Sequence, residues 1–413
     1  MQTSIKSRGR RLALLLSTAA LAAGGSPALA QQSAADLRAE IAALEARVSG
    51  LEGEGRLKFS PGLTVKIGGY IKTDFIFDFD EALGDAFNVD GITISDVGDN
   101  SRFRAHARQS RIFIKTSSQT NSGPLTTHFE FDFFGGNGNE IFSNSYSPRL
   151  RHAYGTWNGW TVGQTWSNFM PIESYPTTVE FNGPAGIPFI RQAQLRYTFP
   201  VSENVKISAS LENSEFSGRD AGGPISESTT AGIRAGIDEI PDITLALAWK
   251  TDKSFVKLAG VYRRFNSPTS NDSADGWGVN LSGNAALWQG GTVQASFTYG
   301  EGIGRYIING FAQDAFVDAA GTLHTIAASG ATIGVSQELS PKLTAGLALG
   351  YYQVDDTFAP TDTDNVSTVH ANLFYKPTDR LTIGAEIAYG RREIVTGASD
   401  NATRFQTSFQ FNF

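Results

Sequence analysis

The chain has 413 residues, 40% apolar and 18% charged, with 44 Gly, 28 Phe, 12 Tyr, two Met and no Cys. Without cysteine it can form no disulfide, thiolate zinc site or thiol nucleophile, and a formal net charge of −7 argues against nucleic acid as a partner. Beyond the first thirty residues no run approaches the roughly 18 apolar residues that a membrane-spanning helix needs.

The chain opens with a basic stretch (Lys6, Arg8, Arg10, Arg11), an apolar run from Leu12 to Ala23, and the small-x-small sequence Ala28-Leu29-Ala30. Residues 1–30 therefore read as a secretory signal peptide. The leader carries four bases and no acids, so the mature chain would stand at −11. Residues 31–55 follow a different rule. Leu37, Ile41, Leu44, Val48 and Leu51 are spaced 4, 3, 4, 3 with charges between them, the a/d seam of a short α-helical coiled coil. One amphipathic helix packed on a globular domain would give a similar pattern. The narrow seam and the Gly50, Gly53, Gly55 break after it favour an oligomerisation segment, whose helix number the seam does not specify.

From Leu63 the period changes to two. Leu63, Val65, Ile67, Ile71, Phe75 and Phe77 alternate with Lys66, Tyr70, Lys72, Asp74 and Asp78, which is a strand with one apolar and one polar face. The pattern recurs at 125–133, 205–212, 343–351, 381–389 and 405–413, often across short turns such as Asn158-Gly159 and Gln289-Gly290-Gly291. About sixteen such segments of about nine to twelve residues suit tilted strands crossing a bilayer. Longer polar connections fall near 81–100, 168–188, 218–241 and 301–328. Trp157, Trp160, Trp249, Tyr299, Tyr351 and Tyr389 sit at segment ends, as interfacial girdles do. The charges on the opposite face exclude a dry core. The predicted fold is all-β: a transmembrane antiparallel β-barrel of about 16 strands over residues 56–413, with a wet lumen, preceded by the short coiled coil. The last strand alternates to the terminus through Phe409, Phe411 and Phe413, a pattern like the signal read by the outer-membrane barrel-assembly machinery. The Gram-negative outer membrane, with its lipid, is the expected location, and the coiled coil would lie in the periplasm.

Several short motifs then support a family resemblance: Ile67-Gly68-Gly69-Tyr70-Ile71-Lys72, His106-Ala107-Arg108-Gln109-Ser110-Arg111, Gly163-Gln164-Thr165-Trp166-Ser167-Asn168-Phe169, Pro241-Asp242-Ile243 and Leu258 to Arg264. With the leader and coiled coil, they make the chain resemble the DcaP-like trimeric porins. The resemblance implies a sixteen-stranded barrel, a homotrimer, and passive uptake of small anionic, often dicarboxylate, solutes. It places no motif in 218–240.

The candidate pathway follows from charge. Residues 167–188 hold Pro171, Pro176, Pro184, Pro188, Gly183 and Gly186 and cannot form a regular strand. They follow the fifth strand, where the family comparison expects a loop folded into the lumen, with Glu173 and Glu180 lining one side of a constriction. An external loop at the rim is the other reading. Arg111, Arg149, Arg151 and Arg196 fall on polar faces, Arg149 and Arg151 opposite Leu150, His152 and Tyr154 in the alternation, with Arg108, Arg263 and Lys257 as further candidates. Guanidinium forks bind carboxylates bidentately and stay charged. Several of these cations would instead pair with Asp74, Glu130, Asp132 or Glu212 and stabilise the wall. Strand phase is ambiguous at Arg108, which Ile112 and Ile114 would aim at lipid unless a bulge intervenes. The five His form no compact catalytic constellation, no HExxH occurs, and no cofactor or metal is implied. The expected function is an outer-membrane porin passing small anions. A general or cation-preferring porin, a barrel enzyme and a structural surface protein are the alternatives.

Overall fold

In the computed structural model, described residues are 56–60, 62–94, 100–136, 141, 143–215, 217–220, 223–226, 239–267, 272–310, 313–355, 357 and 359–413. The chain divides into two units, Met1–Phe59 and Ser60–Phe413. Most of the first, including the leader and the Leu37–Leu51 seam, lies outside the described residues. Its described part belongs to the short strand Arg56–Ser60.

The second unit is a closed antiparallel barrel of sixteen strands. They are β1 (Leu63–Asp78), β2 (in two pieces, Arg102–His106 and Arg111–Thr120), β3 (Gly123–Asp132), β4 (Arg149–Trp157), β5 (Trp160–Trp166) and β6 (Arg191–Pro200). There follow β7 (Val205–Glu212), β8 (Asp242–Lys250), β9 (Ser254–Asn266), β10 (Ser273–Trp288) and β11 (Gly291–Glu301). The last are β12 (Ala327–Ser340), β13 (Leu343–Asp355), β14 (Thr363–Thr378), β15 (Leu381–Ile394) and β16 (Ser399–Asn412). Each strand pairs with the next, and β1 closes the ring on β16 from Tyr70↔Asn412 to Asp78↔Arg404. Closure leaves no unpaired edge, so outside its bulges the wall satisfies its backbone groups strand to strand and not through water. At the seam Arg404 makes a bidentate pair with Asp78 (2.7 and 3.0 Å). No helix among the described residues is long and apolar enough to cross a membrane.

Alternation sorts the side chains inside out relative to a soluble protein. Ile71, Phe75, Phe129, Leu211, Leu245, Leu258, Leu281 and Leu347 are exposed on the outer face, as are all six predicted girdle aromatics. Lys72, Asp74, Glu130, Asp132, Glu212 and Asp242 are buried on the inner face. Asn158 and Gly159 both take positive φ (47° and 84°), the two left-handed positions of a tight hairpin turn that this dipeptide favours.

The longer connections all leave the same end of the barrel, and three fold back into it. Phe87, Val89 and Ile92 come from the β1–β2 loop, Phe169 and Ala185 from the β5–β6 loop, and Ile303, Tyr306 and Ile307 from the β11–β12 loop. They form one apolar cluster against small inward residues of the wall, Ala246, Ala259, Ala328, Ala388 and Ala402. The fully wet interior expected from the sequence is corrected here: part of the barrel encloses a dry core, made possible where wall residues are small. Segment 218–240, unassigned by sequence, begins with a hairpin, Ser217–Asp220 with Gly223–Ser226. It joins Ala315–Val317 and Leu323–Thr325 of the β11–β12 loop in a separate four-stranded sheet.

Candidate functional site: the lumen wall and its inner loop

The segment from Ser167 to Ile190 runs inside the barrel. Lys257 Nζ of β9 donates to Met170 O (2.9 Å), and Asn284 of β10 donates to Glu173 O (2.5 Å). Its middle is held on the far wall: Asn372 of β14 donates to Thr177 O (3.0 Å), Lys72 of β1 to Val179 O (2.9 Å), and Glu386 of β15 accepts the Val179 N–H (2.8 Å). Further on, Ala185 N–H donates to Thr368 Oγ1 (3.0 Å). The returning backbone lies flat on β12 and β13 because Gly330 and Gly350 present no Cβ where Gly186 and Ala185 pass. A cavity of about 380 Å³ lies between Pro176–Val179 and the wall, lined by Lys72, Asn372, Lys376 and Gln410 among others.

The wall from β2 to β6 meets the loop differently, with guanidinium groups and rings. Arg149 Nε and Nη2 grip Asp132 (3.0 and 2.7 Å), and Arg151 bridges Glu130 (2.8 Å) and Asp132 (3.0 Å). Arg111 lies 3.5 Å from Glu130. Arg149 sits over Phe134 and Phe181 (5.2 and 5.3 Å to the centroids), and Arg191 over Trp166 and Phe189 (4.6 and 5.9 Å). Arg196 faces inward from β6, registered with the buried Thr161 and Ser210.

Two β-bulges set this arrangement. Asp74 pairs with His106 but Tyr70 pairs with Arg111, so β2 carries one extra residue between its two pieces. The extra residue reverses the phase. Arg104 and His106 before it and Arg111 after it therefore all face inward, which resolves the ambiguity at Arg108. A second shift, where Glu130 pairs with His152 and Phe131 with Leu150, leaves Arg151 as the extra residue of β4. His152 and Tyr154, expected on the face opposite Arg149 and Arg151, thus join them inside.

Several predicted pathway residues have other work. Arg108 pairs with Asp85, donates to Phe133 O (3.2 Å) and Gly136 O (3.2 Å), and stacks on Tyr146 (4.4 Å). It clasps the β1–β2 loop. Burial works to raise the Asp85 pKa, but hydrogen bonds from Arg108 and Arg104 outweigh it and hold the carboxyl below its usual range. Arg263 is fully buried between Asp242 (3.1 Å) and Asp314 (2.8 Å) and reaches no solute. Lys257 is committed to the loop backbone. Glu180 does not line open space: it is buried and accepts N–H groups of Phe87 (2.7 Å) and Gly183 (2.8 Å). Burial pushes its carboxyl pKa up. Glu173 is exposed beside Lys206 and Lys250 in a second cavity of about 420 Å³. Of the pathway cations, Arg111, Arg149, Arg151 and Arg196 share the β2–β6 wall. Phe409, Phe411 and Phe413 are exposed on the outer surface.

Alternation missed Arg191, whose odd position on β6 reads as lipid-facing. It also missed the role of Glu386, which ties down the loop together with His370 (3.1 Å) and Asn372 (3.1 Å). The aromatic run Trp166, Phe181, Phe189 was the available signal for Arg191.

A barrel of sixteen strands, with its β5–β6 loop inside, is porin architecture. Residues 60–413 match the profile of the DcaP outer membrane protein family. The chain belongs to that family. Among solved structures, the outer membrane channel DcaP of Acinetobacter baumannii has a TM-score of 0.76 at 20% identity, covering 86% of this chain and 99% of that one. An anion-selective porin from Comamonas acidovorans follows (TM-score 0.58, 12% identity, 85% and 100% covered). OmpT of Vibrio cholerae in its trimer form is similar too (0.55, 13%, 85% and 100%). At these identities the likeness is one of fold. A comparison with curated proteins finds no match. Family and architecture together make this DcaP-family chain an outer-membrane porin of the Gram-negative envelope.

Proposed function

We propose that the pore conducts small anions, dicarboxylates among them, along the β2–β6 wall, by diffusion down a gradient. One observation carries this reading: that wall brings four guanidinium groups, Arg111, Arg149, Arg151 and Arg191, around only two carboxylates, Glu130 and Asp132. The surplus is positive, and a charged lining selects by sign while several weak sites let a solute leave again. Net acidity of the whole chain does not oppose this, because most acids lie elsewhere. Arg149 keeps 32% of its side chain exposed while holding Asp132, whereas Arg151 keeps 4%. Arg149 is thus the paired member that a passing carboxylate reaches, and Arg151 fixes the two acids in place.

The test is the reversal potential of the inserted protein in a salt gradient, repeated with succinate. Anion preference and carboxylate-dependent block are expected, and replacing Arg149 and Arg151 together with Gln lowers that preference about severalfold by unveiling Glu130 and Asp132. Cation preference in the unaltered protein, or unchanged selectivity in the double variant, overturns the reading.

The assembly proposed is a homotrimer tied on its periplasmic side by residues 31–55, as the heptad seam and the trimeric form of the similar Vibrio porin suggest. Phe409, Phe411 and Phe413 are proposed as the signal for the barrel-assembly machinery. Deleting 31–55 should lower the temperature at which the trimer dissociates on gels while conductance persists. Equal melting of both forms counts against an assembly role for the seam.

A further inference from the structure

Resting on the anion-pore reading, we infer that the passing carboxylate is bound by two unpaired guanidinium groups on a single strand, Arg191 and Arg196 of β6, which add to the positive field that the paired arginines of β2 and β4 already supply. The distinction is one of availability. Asp132 occupies the Nε and Nη2 donors of Arg149, and Glu130 and Asp132 occupy Nε and Nη1 of Arg151. A solute reaching those groups competes with carboxylates already seated. Arg191 and Arg196 make no ion pair or hydrogen bond among the described residues. Arg191 Nη1 is enclosed yet has no acceptor, and the charges that act on the group most strongly are other arginines, Arg151, Arg149 and Arg111, with Asp132 beside them.

The site around Arg191 is built. Its guanidinium lies over Trp166 and Phe189, and Trp166 also takes Arg151 at 5.9 Å, so one electron-rich ring face is shared by two like charges. The flanking rings hold the fork in one orientation, with its remaining donors left for a carboxylate. Arg196 stands five residues further along the same strand, about 17 Å away, toward the β6–β7 turn. Its nearest acids, Glu212 and Glu173, are other groups' partners or exposed: Glu212 accepts from Asn168, Gln192 and Ser210. The two cations are further apart than the screening length of about 8 Å at physiological salt. Each therefore acts as its own rung: a solute released by one is taken up by the next.

The test uses the inserted full-length protein in planar bilayers, with succinate as the probe. R191Q should reduce the anion-to-cation permeability ratio about twofold and weaken succinate block about tenfold. R191K should keep the permeability ratio and still lose most of the block, since an ammonium keeps the charge without the planar fork. R196Q should act like R191Q, and R191Q/R196Q should combine the two effects. R264Q serves as control: it removes the same charge from the outer face, where Arg264 pairs with Asp275 at 2.8 Å, and should change neither quantity. An anion-selective parent whose ratio and block survive R191Q/R196Q overturns this inference and leaves the anion pore standing. A cation-selective parent overturns both. Should R191Q fail to insert, R191K decides the matter: unaltered succinate block in that variant overturns the role of the Arg191 fork.

Discussion

On β14–β16 and β1 the inward carboxylates serve the chain itself. Glu386 accepts from a loop backbone N–H, Asn372 and the ring of His370, and Asp74 is taken by Lys72 and Gln406. On β2–β6 the carboxylates are fewer than the guanidinium groups around them, and what meets the loop is rings rather than peptide groups. Both walls arise from the same alternation of inward polar residues. They differ in what their charged groups meet: on the first wall carboxylates, amides and Lys72 bind loop backbone and one another, and on the second guanidinium groups outnumber carboxylates. A wall whose polar groups grip peptide groups holds a loop, whereas a wall with surplus guanidinium groups has positive charge left to offer a solute.

The comparison breaks most directly at Glu386. Glu386→Ala removes the common acceptor of Val179 N–H, Asn372 and His370 and leaves buried donors unmatched, at about 1–3 kcal/mol each. The expected result is a lower dissociation temperature and a larger, noisier single-channel conductance, with selectivity little changed. Normal conductance in this variant would show that Lys72, Asn372 and Lys257 hold the loop without it. A smaller effect is expected at Asp85, where a carboxylate secures a loop against the β2–β6 side. Its pKa is depressed, so its contribution is present above the ordinary aspartate value and is lost only as pH falls through the lowered one. Limited proteolysis of the β1–β2 loop should therefore be the same at pH about 5 and about 8. Asp85→Asn should increase cleavage at both, by an amount corresponding to about 1–2 kcal/mol. Cleavage that rises on mild acidification of the parent chain would contradict the clasp.

How much of this was legible in the sequence depends on what alternation records. Runs such as Val205–Leu211 and Leu343–Tyr351 disclose strand, face and membrane exposure together, because every second residue answers to a different solvent. The Asn158-Gly159 turn and the six girdle aromatics were readable for equally local reasons. A bulge is not. One extra residue between His106 and Arg111, or Arg151 itself in β4, leaves composition unaltered and shows only in the partner strand's register. That is why alternation alone puts His152 and Tyr154 on the wrong face and leaves the phase ambiguous at Arg108. The dry cluster was hidden for another reason: Phe87, Val89 and Ile92 sit in a loop of mixed composition, and their wall partners are alanines that look neutral in any pattern. Among the arginines, charge was visible but partnership was not, and partnership distinguishes the buried Arg263 from the unpaired Arg196.

The seam between β1 and β16 has a consequence for time rather than for passage. Asp78 is among the first wall residues to leave the ribosome, and Arg404 among the last. Until the final strand arrives, the acid that must end up dry has no counter-charge and stays in contact with water. Once the two meet with side chains almost wholly enclosed (0% and 5% exposed), separating them again means stripping apart opposite charges in a medium of low permittivity. The joint works as a ratchet: it makes completion of the chain the condition for closing the ring, and makes that closure hard to reverse.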